Sequence, residues 1–579
     1  METRNCQNCK NDFSIYPDDS AFYEKIKVPP PTFCPECRII RRLIWRNSRS
    51  LYKRPCGLCQ KSLISMYPTS SPVPVYCSDC WNGSGWDPMS YGKDYDFNKP
   101  FFVQLKELFN QVPRFYAYRF GSLINSEYTN FSVGQKNVYM AFSALSCEDV
   151  LYSEILDKSK NTMESFTSVN LDGCYENVLS EQNYNTHFSV KSRNCVDSFF
   201  LYDCANCSNC ALSSNQRNQQ YVFKNQKLSK EEYENAIKEL HLDTYSGIQE
   251  AKSLFDQMIE ENTIHKYASV YSSQNAVGDL IRDSKNIRDA FDIQESENVS
   301  YGYRYIKCKD CMDCSGTGWA ELAYESMAAT QNTYMNSFCF IAIEGCRLCQ
   351  YSMICKNCSN CFGCVGLTGK EYCIFNKQYT KEEYEELLPK IIQQMNDVPY
   401  LDEQGRVYRY GEFFPFDFCP FGYNETSANY FFPISKEEAI AKGYPWKDRE
   451  ERNYNVTLFS KDLPESIAGV GDDICNQVIE CPNKGKAEYQ CTEAFRIVPA
   501  ELNFYRQKNL PLPHFCPNCR HYMRIRKYNI SMHLSQKQCN CDISTHGHAG
   551  VCQNEFKTTY SPSSTKKIYC ESCYNKEIY

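Results

Sequence analysis

The stretch Cys204-Ala-Asn-Cys-Ser-Asn-Cys210 recurs 151 residues later as Cys355-Lys-Asn-Cys-Ser-Asn-Cys361. Around both copies, short segments led by Asn or Cys recur every ten to thirteen residues, and residues 299–305 alternate apolar with polar side chains. Short alternating segments with polar turn residues are typical of strands. A short fixed period is typical of a solenoid, in which each coil buries its face against its neighbours. The pattern predicts a mainly β chain with a duplicated β-solenoid at its centre.

Three capping boxes predict the starts of helices in and after the duplicated region. In such a box a Ser or Thr side chain caps the helix, and a Glu three residues later reaches back to the capping residue. The first two boxes would end each solenoid half in a helix that covers its open edge. The third starts a shorter helix that Gly443 ends. The boxes are Ser229 with Glu232, Thr380 with Glu383, and Ser435 with Glu438.

The first eight of the 36 cysteines fall in four C-x2-C pairs. Each pair can form a tight knuckle whose sulfurs point at one ion, and two knuckles close a tetrahedral zinc site. A closed site supplies folding energy and leaves no position open for a substrate. Grouping by adjacent pairs predicts two zinc ribbons: Cys6, Cys9, Cys34 and Cys37, then Cys56, Cys59, Cys77 and Cys80. Combining the second pair with the third would also satisfy the count.

The C-terminus repeats the N-terminal pattern and decides the grouping. Cys491, Cys516 and Cys519 match Cys9, Cys34 and Cys37 at a constant offset of 482 residues, and flanking aromatic, proline and arginine residues match as well. The steps inside each ribbon are kept, while the distances between ribbons differ. The third ribbon is therefore predicted as Cys481, Cys491, Cys516 and Cys519, and the fourth as Cys539, Cys552, Cys570 and Cys573.

The first knuckle of each C-terminal ribbon is altered, so one ligand in each is open to alternatives. Cys475 competes with Cys481 in the third ribbon, although Cys481 is preferred. In the fourth, Cys541, His546 and His548 are close enough in sequence to compete with Cys539.

The cysteines of the solenoid have three competing interpretations. Cysteine is a small apolar residue that stacks well in narrow coils, and this structural role is preferred. A metal site is the second interpretation. An iron-sulfur cluster is the third, although the C-x2-C-x2-C runs lack the following x3-C-P of bacterial ferredoxins.

Seven basic residues and no acidic one lie between positions 38 and 54, opposite an apolar face. This pattern predicts an amphipathic helix leaving the second knuckle, with arginines outward and Trp45 beside them. Arginine could grip phosphate bidentately and Trp45 could stack on a base, so nucleic acid, with structured RNA first, is the expected partner. A solvated face, or one paired with acidic helices near Glu231 and Glu382, is the alternative. The candidate nucleic-acid residues are Arg38, Arg41, Arg42, Arg46, Arg49, Arg520 and Arg524.

Composition and motif searches point away from export, membranes and catalysis. No secretory signal or membrane-spanning apolar run is visible, so the chain is expected in a reducing cytoplasm. In that compartment C-x2-C pairs indicate zinc ligands. The formal net charge of −7 argues against a uniformly basic surface for nucleic acid but leaves room for local basic patches. No phosphate loop, nucleophile elbow or H-E-x-x-H motif occurs. The expected function is a non-enzymatic zinc scaffold; a protein-interaction scaffold, and a solenoid-borne or iron-sulfur enzyme, are the rivals.

These features divide the chain into seven segments. The predicted segments are twin zinc ribbons (1–95), a helical linker (96–118), a first solenoid half with its capping helix (119–240), a helical connector (241–268), a second solenoid half with its capping helix (269–395), a connecting segment with a short helix (396–470), and twin zinc ribbons (471–579).

Six motifs spread along the chain carry a resemblance to known proteins. They are Cys34-Pro-Glu-Cys37-Arg38 with Arg41-Arg42, Asp94-Tyr-Asp-Phe97 before Pro100-Phe101-Phe102, Cys361-Phe-Gly-Cys364-Val-Gly-Leu367, Asn376-Lys377, Lys381-Glu-Glu-Tyr384, and Cys570-Glu-Ser-Cys573-Tyr574. In these motifs the chain resembles a group of large, uncharacterised, cysteine-rich multi-zinc-ribbon proteins of uncultivated bacteria with reduced genomes. The resemblance covers most of the chain and implies zinc binding and a solenoid centre.

Overall fold

The computed structural model describes residues 1–448, 453–528 and 531–579. The chain is mixed to mainly β, with 32% of residues in strands and 25% in helices. No helix within the described residues has the length and apolarity needed to cross a bilayer.

The first of two strand regions, residues 119–227 (the first stack), is built by parallel pairing at an almost constant offset of twelve residues. Glu154 pairs with Phe166, for example, and Val196 pairs with Ser208. Each twelve-residue segment therefore lies on the one before it. The strands are Arg119–Ile124, Ser132–Lys136, Leu145–Leu151, Glu154–Asp157, Lys160–Met163, Phe166–Val169, Tyr184–His187, Val196–Tyr202, Ser208–Ser214 and Gln220–Phe223, followed by the antiparallel Gln226–Lys227.

Residues 270–378 (the second stack) repeat this architecture. Glu297 pairs with Lys309, and Ser359 pairs with Glu371. Four strands of this stack pair in a closed ring. Lys309–Glu321 is longer than one twelve-residue segment and pairs with Tyr324–Met327 and with Thr330–Tyr334, and both of these strands pair with Phe340–Ile343. The strands are Val270–Tyr271, Gln274–Arg282, Lys285–Gln294, Glu297–Ser300, Tyr303–Ile306, Lys309–Glu321, Tyr324–Met327, Thr330–Tyr334, Phe340–Ile343, Met353–Lys356, Ser359–Phe362, Glu371–Ile374 and Lys377–Gln378.

Within both stacks, nearly every third residue has a positive φ, as at Asn194, Asp197 and Phe200. Each of these positive-φ residues forms a corner of the chain, and four corners bend each twelve-residue segment. Left-handed backbone is costly for most side chains but is tolerated by Asn and Asp. Asparagines on successive segments also hydrogen-bond through their amides, as Asn194 does to Asn206 at 3.1 Å. The Asn-led repeat in the sequence therefore marks corners that support one another.

The residue after each corner points into a narrow core. These residues are mostly Ser, Cys, Ala, Thr and Val, and nearly all are buried, with Cys207 and Cys210 as examples. Small side chains fill this space because the sides of each segment are only three residues long.

All three predicted capping boxes are confirmed, with both reciprocal hydrogen bonds present. The helix that follows each stack packs on a strand near the end of that stack through an equivalent pair of tyrosines. Tyr233 packs on Tyr221 after the first stack, and Tyr384 packs on Tyr372 after the second. Gly443 has a φ of 67° just after the third helix, as a helix end requires. The α-helices within the described residues are Pro17–Ile26, Pro35–Leu43, Ser78–Asn82, Phe101–Gln111, Lys230–Glu239, Tyr245–Glu261, Lys381–Asp397, Ala428–Phe431, Lys436–Ala441, Pro499–Lys508, Pro517–Lys527 and Glu571–Ile578.

One helix from each terminal region docks on the stack that is farther from it in sequence. The helix Pro35–Leu43, near the N-terminus, packs on second-stack strands Lys309–Glu321 and Tyr324–Met327. The C-terminal helix Pro499–Lys508 packs on the first stack, where the Tyr152 hydroxyl donates to Glu501 at 3.0 Å. These two helices therefore each contact the stack that is farther from them in sequence, while Arg49 also reaches Glu154 of the first stack and Lys557 reaches Asp289 of the second.

Candidate metal centres

The structure brings together four groups of four cysteines, and in each group all four sulfurs lie within 4.8 Å of one another. Single sulfur pairs at 3.7 Å occur in three groups, between Cys9 and Cys34, Cys59 and Cys77, and Cys481 and Cys519. A tetrahedral zinc ion with bonds of about 2.3 Å to sulfur has edges of about 3.8 Å. The groups are Cys6, Cys9, Cys34 and Cys37; Cys56, Cys59, Cys77 and Cys80; Cys481, Cys491, Cys516 and Cys519; and Cys539, Cys552, Cys570 and Cys573.

An antiparallel hairpin carries the first two cysteines of each group. In the first group the strands are Glu2–Asn5 and Asp12–Ile15, and Cys6 follows the first strand directly. The Lys10 N–H donates to the Cys6 carbonyl at 3.0 Å, and Lys10 adopts a φ of 64°. This left-handed residue turns the chain immediately after Cys9, so both sulfurs face the same point. The other hairpins pair Tyr52–Pro55 with Ser62–Ser65, Ile479–Glu480 with Ala494–Phe495, and Ser535–Gln538 with Glu555–Thr558.

A short helix carries the other two cysteines, and the earlier of these is its N-terminal cap in every group. The positive end of a helix dipole stabilises a thiolate there. The N–H of each capping cysteine also donates to the first sulfur of its group. These bonds run from Cys34 to Cys6 (3.2 Å), Cys77 to Cys56 (3.3 Å), Cys516 to Cys481 (3.3 Å) and Cys570 to Cys539 (3.2 Å).

This repeated hydrogen bond places Cys481 and Cys539 where Cys6 and Cys56 lie in the N-terminal groups. Cys475, the sequence alternative to Cys481, lies in the 3-10 helix Asp472–Asn476 and outside the third group. In the fourth group, Cys541, His546 and His548 do not replace Cys539. They form a further cluster that shares Cys573 with it.

Electrostatics within the groups favour ionised sulfur at selected positions. Burial raises the pKa of Cys56, but N–H groups of Cys59 and Cys77 outweigh burial and lower that pKa to about 6. Hydrogen bonds from Cys34 and Cys37 lower the pKa of Cys6, whereas hydrogen bonds with Cys34 and Cys6 raise the pKa of Cys37. Four thiols in contact cannot all ionise alone because their charges repel. A bound cation removes this conflict.

The cysteines inside the stacks have different surroundings. Their C-x2-C spacing follows from the three-residue sides of each segment, which place every third side chain in the core. Cys358, for example, lies 3.3 Å from the Lys356 carbonyl and 3.4 Å from the Leu367 carbonyl, so its thiol donates to backbone. Burial raises the pKa of Cys174 and Cys314 to about 12. Neighbouring cysteine sulfurs lower the pKa of Cys358 instead. No stack cysteine of the described residues belongs to a group of side chains placed to hold a metal ion, which fits the preferred structural role.

The predicted outward arginine stripe is wrong. The helix ends at Leu43, before Arg46 and Arg49, and all seven candidate arginines are buried, with 0–7% of their surface exposed. Trp45 is buried as well, against Phe340 and Phe414. The sequence pattern is amphipathic, but carboxylates from other parts of the chain cover the charged side of the helix. None of these side chains is available to grip phosphate or stack on a base.

The carboxylates that pair with the N-terminal arginines come from distant parts of the chain. Asp313 and Glu325 are corner residues on adjacent segments of the second stack, and Glu412 follows that stack. Burial opposes the charge on Arg41, but Glu325 and Glu412 outweigh burial and raise its pKa. The contacts are Arg38 to Asp313 (2.9 Å), Arg41 to Glu325 (2.5 Å) and Glu412 (2.8 Å), Arg42 to Asp313 (3.4 Å) and Glu325 (3.2 Å), and Arg49 to Glu154 (3.6 Å).

Arg46 differs from its neighbours because no carboxylate of the described residues forms an ion pair with it. Its guanidinium donates to the Ser143 hydroxyl at 2.8 Å and lies over the Phe131 ring. Burial, with Arg304 nearby, lowers the pKa of Arg46 to about 10.

The C-terminal arginines repeat the arrangement on the first stack. Arg520 contacts Glu164 at 3.0 Å and Glu501 at 3.1 Å, and Arg524 also pairs with Glu164. Glu164 is a corner residue, as Asp313 and Glu325 are. Sequence reasoning missed these carboxylates, although the twelve-residue step between Asp313 and Glu325 is a signal that two acidic corners adjoin.

Comparisons with known proteins identify no relative that supports a function. No family model matches the sequence, and no curated protein matches it. Among solved structures, a protein named as an acetyltransferase, from Desulfovibrio desulfuricans G20, aligns with 50% of this chain and 74% of its own at 9% identity. The TM-score of 0.10 carries no argument about fold or activity.

Proposed function

We propose that the protein is a non-enzymatic, zinc-binding scaffold of the reducing cytoplasm. The observation that carries this proposal is the fourfold recurrence of one arrangement: a hairpin and a capped helix that present four cysteine sulfurs to one point. With all four positions of a tetrahedral ion filled by protein, the metal stabilises structure and has no site for a substrate. Zinc suits such a site because it favours four sulfur ligands.

The two stacks are the frame of this scaffold. Parallel segments at a twelve-residue offset, each bent by four corners, support a β-solenoid in each half. A solenoid is stabilised mainly by contacts between neighbouring coils. The ribbons would add long-range fastening, because helices that leave the first and third cysteine groups carry arginines onto acidic corners of the stacks.

A reducing compartment is part of the proposal because the four cysteine groups can bind zinc only while their thiolates stay reduced. A further observation bears on the partner. The candidate arginines bind carboxylates of the chain itself, so the observation on which a nucleic-acid partner rested is gone, and no such partner is proposed. The arginines instead hold the terminal helices on the stacks through buried ion pairs.

Elemental analysis of protein purified without added metal tests the proposal. At least four zinc ions per chain and no iron are expected. The variant Cys34→Ser should lose one ion, because it removes a ligand of the first group. Cys419→Ser is the matched control, since Cys419 is equally buried but donates to the Ile44 carbonyl and belongs to no group.

Two other outcomes of the elemental analysis would speak against the proposal. Iron with visible absorbance in anaerobic protein would favour the iron-sulfur alternative. The scaffold proposal would be contradicted if the chain folds with fewer than four zinc ions and if Cys34→Ser has the same zinc content as the wild type.

A further inference from the structure

The loop between Cys539 and Cys552 carries three side chains that the four ribbons do not use. Cys541, His546 and His548 meet Cys573 in a cluster whose ligand atoms all lie within 4.8 Å of one another. The Cys541 sulfur lies 3.2 Å from Nδ1 of His546, and the Cys573 sulfur lies 3.5 Å from Nε2 of His548. A tetrahedral zinc ion with ordinary bonds to sulfur and nitrogen has mixed edges of about 3.5 Å.

The second nitrogen of each histidine supports a ligand role independently. Nε2 of His546 lies 3.2 Å from the Glu577 carboxylate, and Nδ1 of His548 lies 2.9 Å from the Gly550 carbonyl. Both partners accept hydrogen bonds, so the proton of each neutral ring is held on the outer nitrogen. The lone pair of the inner nitrogen then faces the cluster. Histidines that bind metals are usually oriented by such acceptors.

The local backbone and burial favour a closed site. Gly547, between the two histidines, has a φ of 88°, which allows the turn that brings both rings to one side. Cys541 is fully buried and His546 is 8% exposed. Two sulfurs and two nitrogens would fill every position of a tetrahedral ion, so the site is structural.

We propose that Cys541, His546, His548 and Cys573 bind a fifth zinc ion, with Cys573 bridging it to the ion of the fourth ribbon. This inference rests on the proposed zinc-binding function. A thiolate sulfur keeps lone pairs after its first metal bond and can therefore bind a second ion.

Sharing the sulfur also lowers the charge that the fold must bury. One zinc ion with four thiolates carries a formal charge of −2. Two zinc ions with five thiolates and two neutral histidines carry −1. Because buried net charge is costly, the second ion offsets part of the cost of the first. It also orders a loop whose only regular element in the described structure is the 3-10 helix Ser544–His546.

Zinc counting by native mass spectrometry of the full chain tests this inference. The wild type is expected to hold five ions. His546→Ala/His548→Ala is expected to hold four, and Cys573→Ser three, because the bridge serves two ions. His533→Ala is the matched control and should keep five, since His533 is exposed and pairs with Glu36 outside the cluster.

Cobalt(II) substitution gives a second readout that does not depend on variants folding. Tetrahedral sites with four sulfurs and with two sulfurs and two nitrogens absorb at different visible wavelengths. The wild type should show both spectra, and the double histidine variant only the four-sulfur spectrum.

Each result decides one of the two proposals. Four ions in both the wild type and the double histidine variant, with no mixed-ligand cobalt spectrum, would overturn the fifth site and leave the scaffold proposal intact. Five ions with loss of only one in Cys573→Ser would overturn the bridge. Fewer than four ions in the wild type would remove the scaffold proposal as well.

Discussion

Arg38 lies 2.9 Å from the carboxylate of Asp313, and 2% and 0% of the two side chains are exposed. At the other end of the chain, Arg520 lies 3.0 Å from Glu164 in the same kind of contact. Arg38 directly follows the group cysteine Cys37, and Arg520 directly follows Cys519. A residue that would hold the metal and a residue that forms a buried ion pair are thus adjacent in both places. Ribbon folding therefore positions the guanidinium groups for docking.

Glu325→Gln should destabilise the fold strongly, because it leaves the buried Arg41 and Arg42 without part of their compensation. Breaking a buried ion pair by removing one partner costs about 3–5 kcal/mol. Urea denaturation measures the loss. Lys390→Ala is the control, because its pair with Glu386 is exposed, and its unfolding midpoint should match the wild type. Equal midpoints for both variants would refute the fastening role.

Cys481→Ser should lower the zinc content by one ion per chain, whereas Cys475→Ser should leave it unchanged. The reason is that only Cys481 receives the N–H of a capping cysteine, Cys516. Elemental analysis separates the two variants. The reverse result would place Cys475 in the third group.

Acid should destabilise the protein partly through His187. Burial, with Lys508 nearby, lowers the pKa of His187 to about 3 in the folded chain, against about 6.5 when unfolded. Between these values the unfolded state binds a proton that the folded state cannot, so this contribution is complete above pH 6.5 and is lost as pH falls. At pH 5 the loss is about 2 kcal/mol.

The variant His187→Gln should lack this part of the acid dependence. Urea denaturation at pH 7 and pH 5 gives the difference for each protein, and zinc content at both values shows whether metal loss contributes equally. Parallel pH profiles for the variant and the wild type would show that His187 titrates normally in the fold.

Cys358→Ser should keep the full zinc content, because a hydroxyl can make the same donor contacts to backbone. Cys358→Leu should also keep the metal but destabilise the second stack by about 1–3 kcal/mol, since its narrow core has no room for a larger side chain. Elemental analysis and denaturation midpoints check both expectations. Loss of metal in the serine variant would make Cys358 a ligand.

Local patterns predicted local structure well. The capping boxes at Ser229, Thr380 and Ser435 are confirmed, because the side chain and the backbone that it caps are neighbours in sequence. The choice of Cys481 over Cys475 also agrees with the grouping of sulfurs, since internal repeats carry spacing information across the chain.

Long-range contacts were beyond the sequence. The amphipathic pattern at Arg38 and Arg42 shows that one face is charged, but the cover for that face comes from Asp313 and Glu325, far along the chain. Spacing also misled in a second way. At Cys34 and Cys37 the C-x2-C spacing belongs to a group of four sulfurs that could hold a metal ion. At Cys355 and Cys358 the same spacing reflects two successive sides of a twelve-residue segment. Only the three-dimensional environment separates these two causes.

The docking of the helix Pro35–Leu43 on the second stack has a consequence for synthesis of the chain on the ribosome. The helix that carries Arg42 is made well before Asp313 and Glu325, the residues that neutralise it. At about 5–20 residues per second, the helix waits roughly 15–55 s for its docking surface. During that interval the carboxylates of Asp313 and Glu325 do not yet exist to pair with its arginines, which can attract other acidic molecules. The N-terminal ribbons could fold early on the proposed zinc ions, but the attachment of this helix to Asp313 and Glu325 has to wait until the second stack is made.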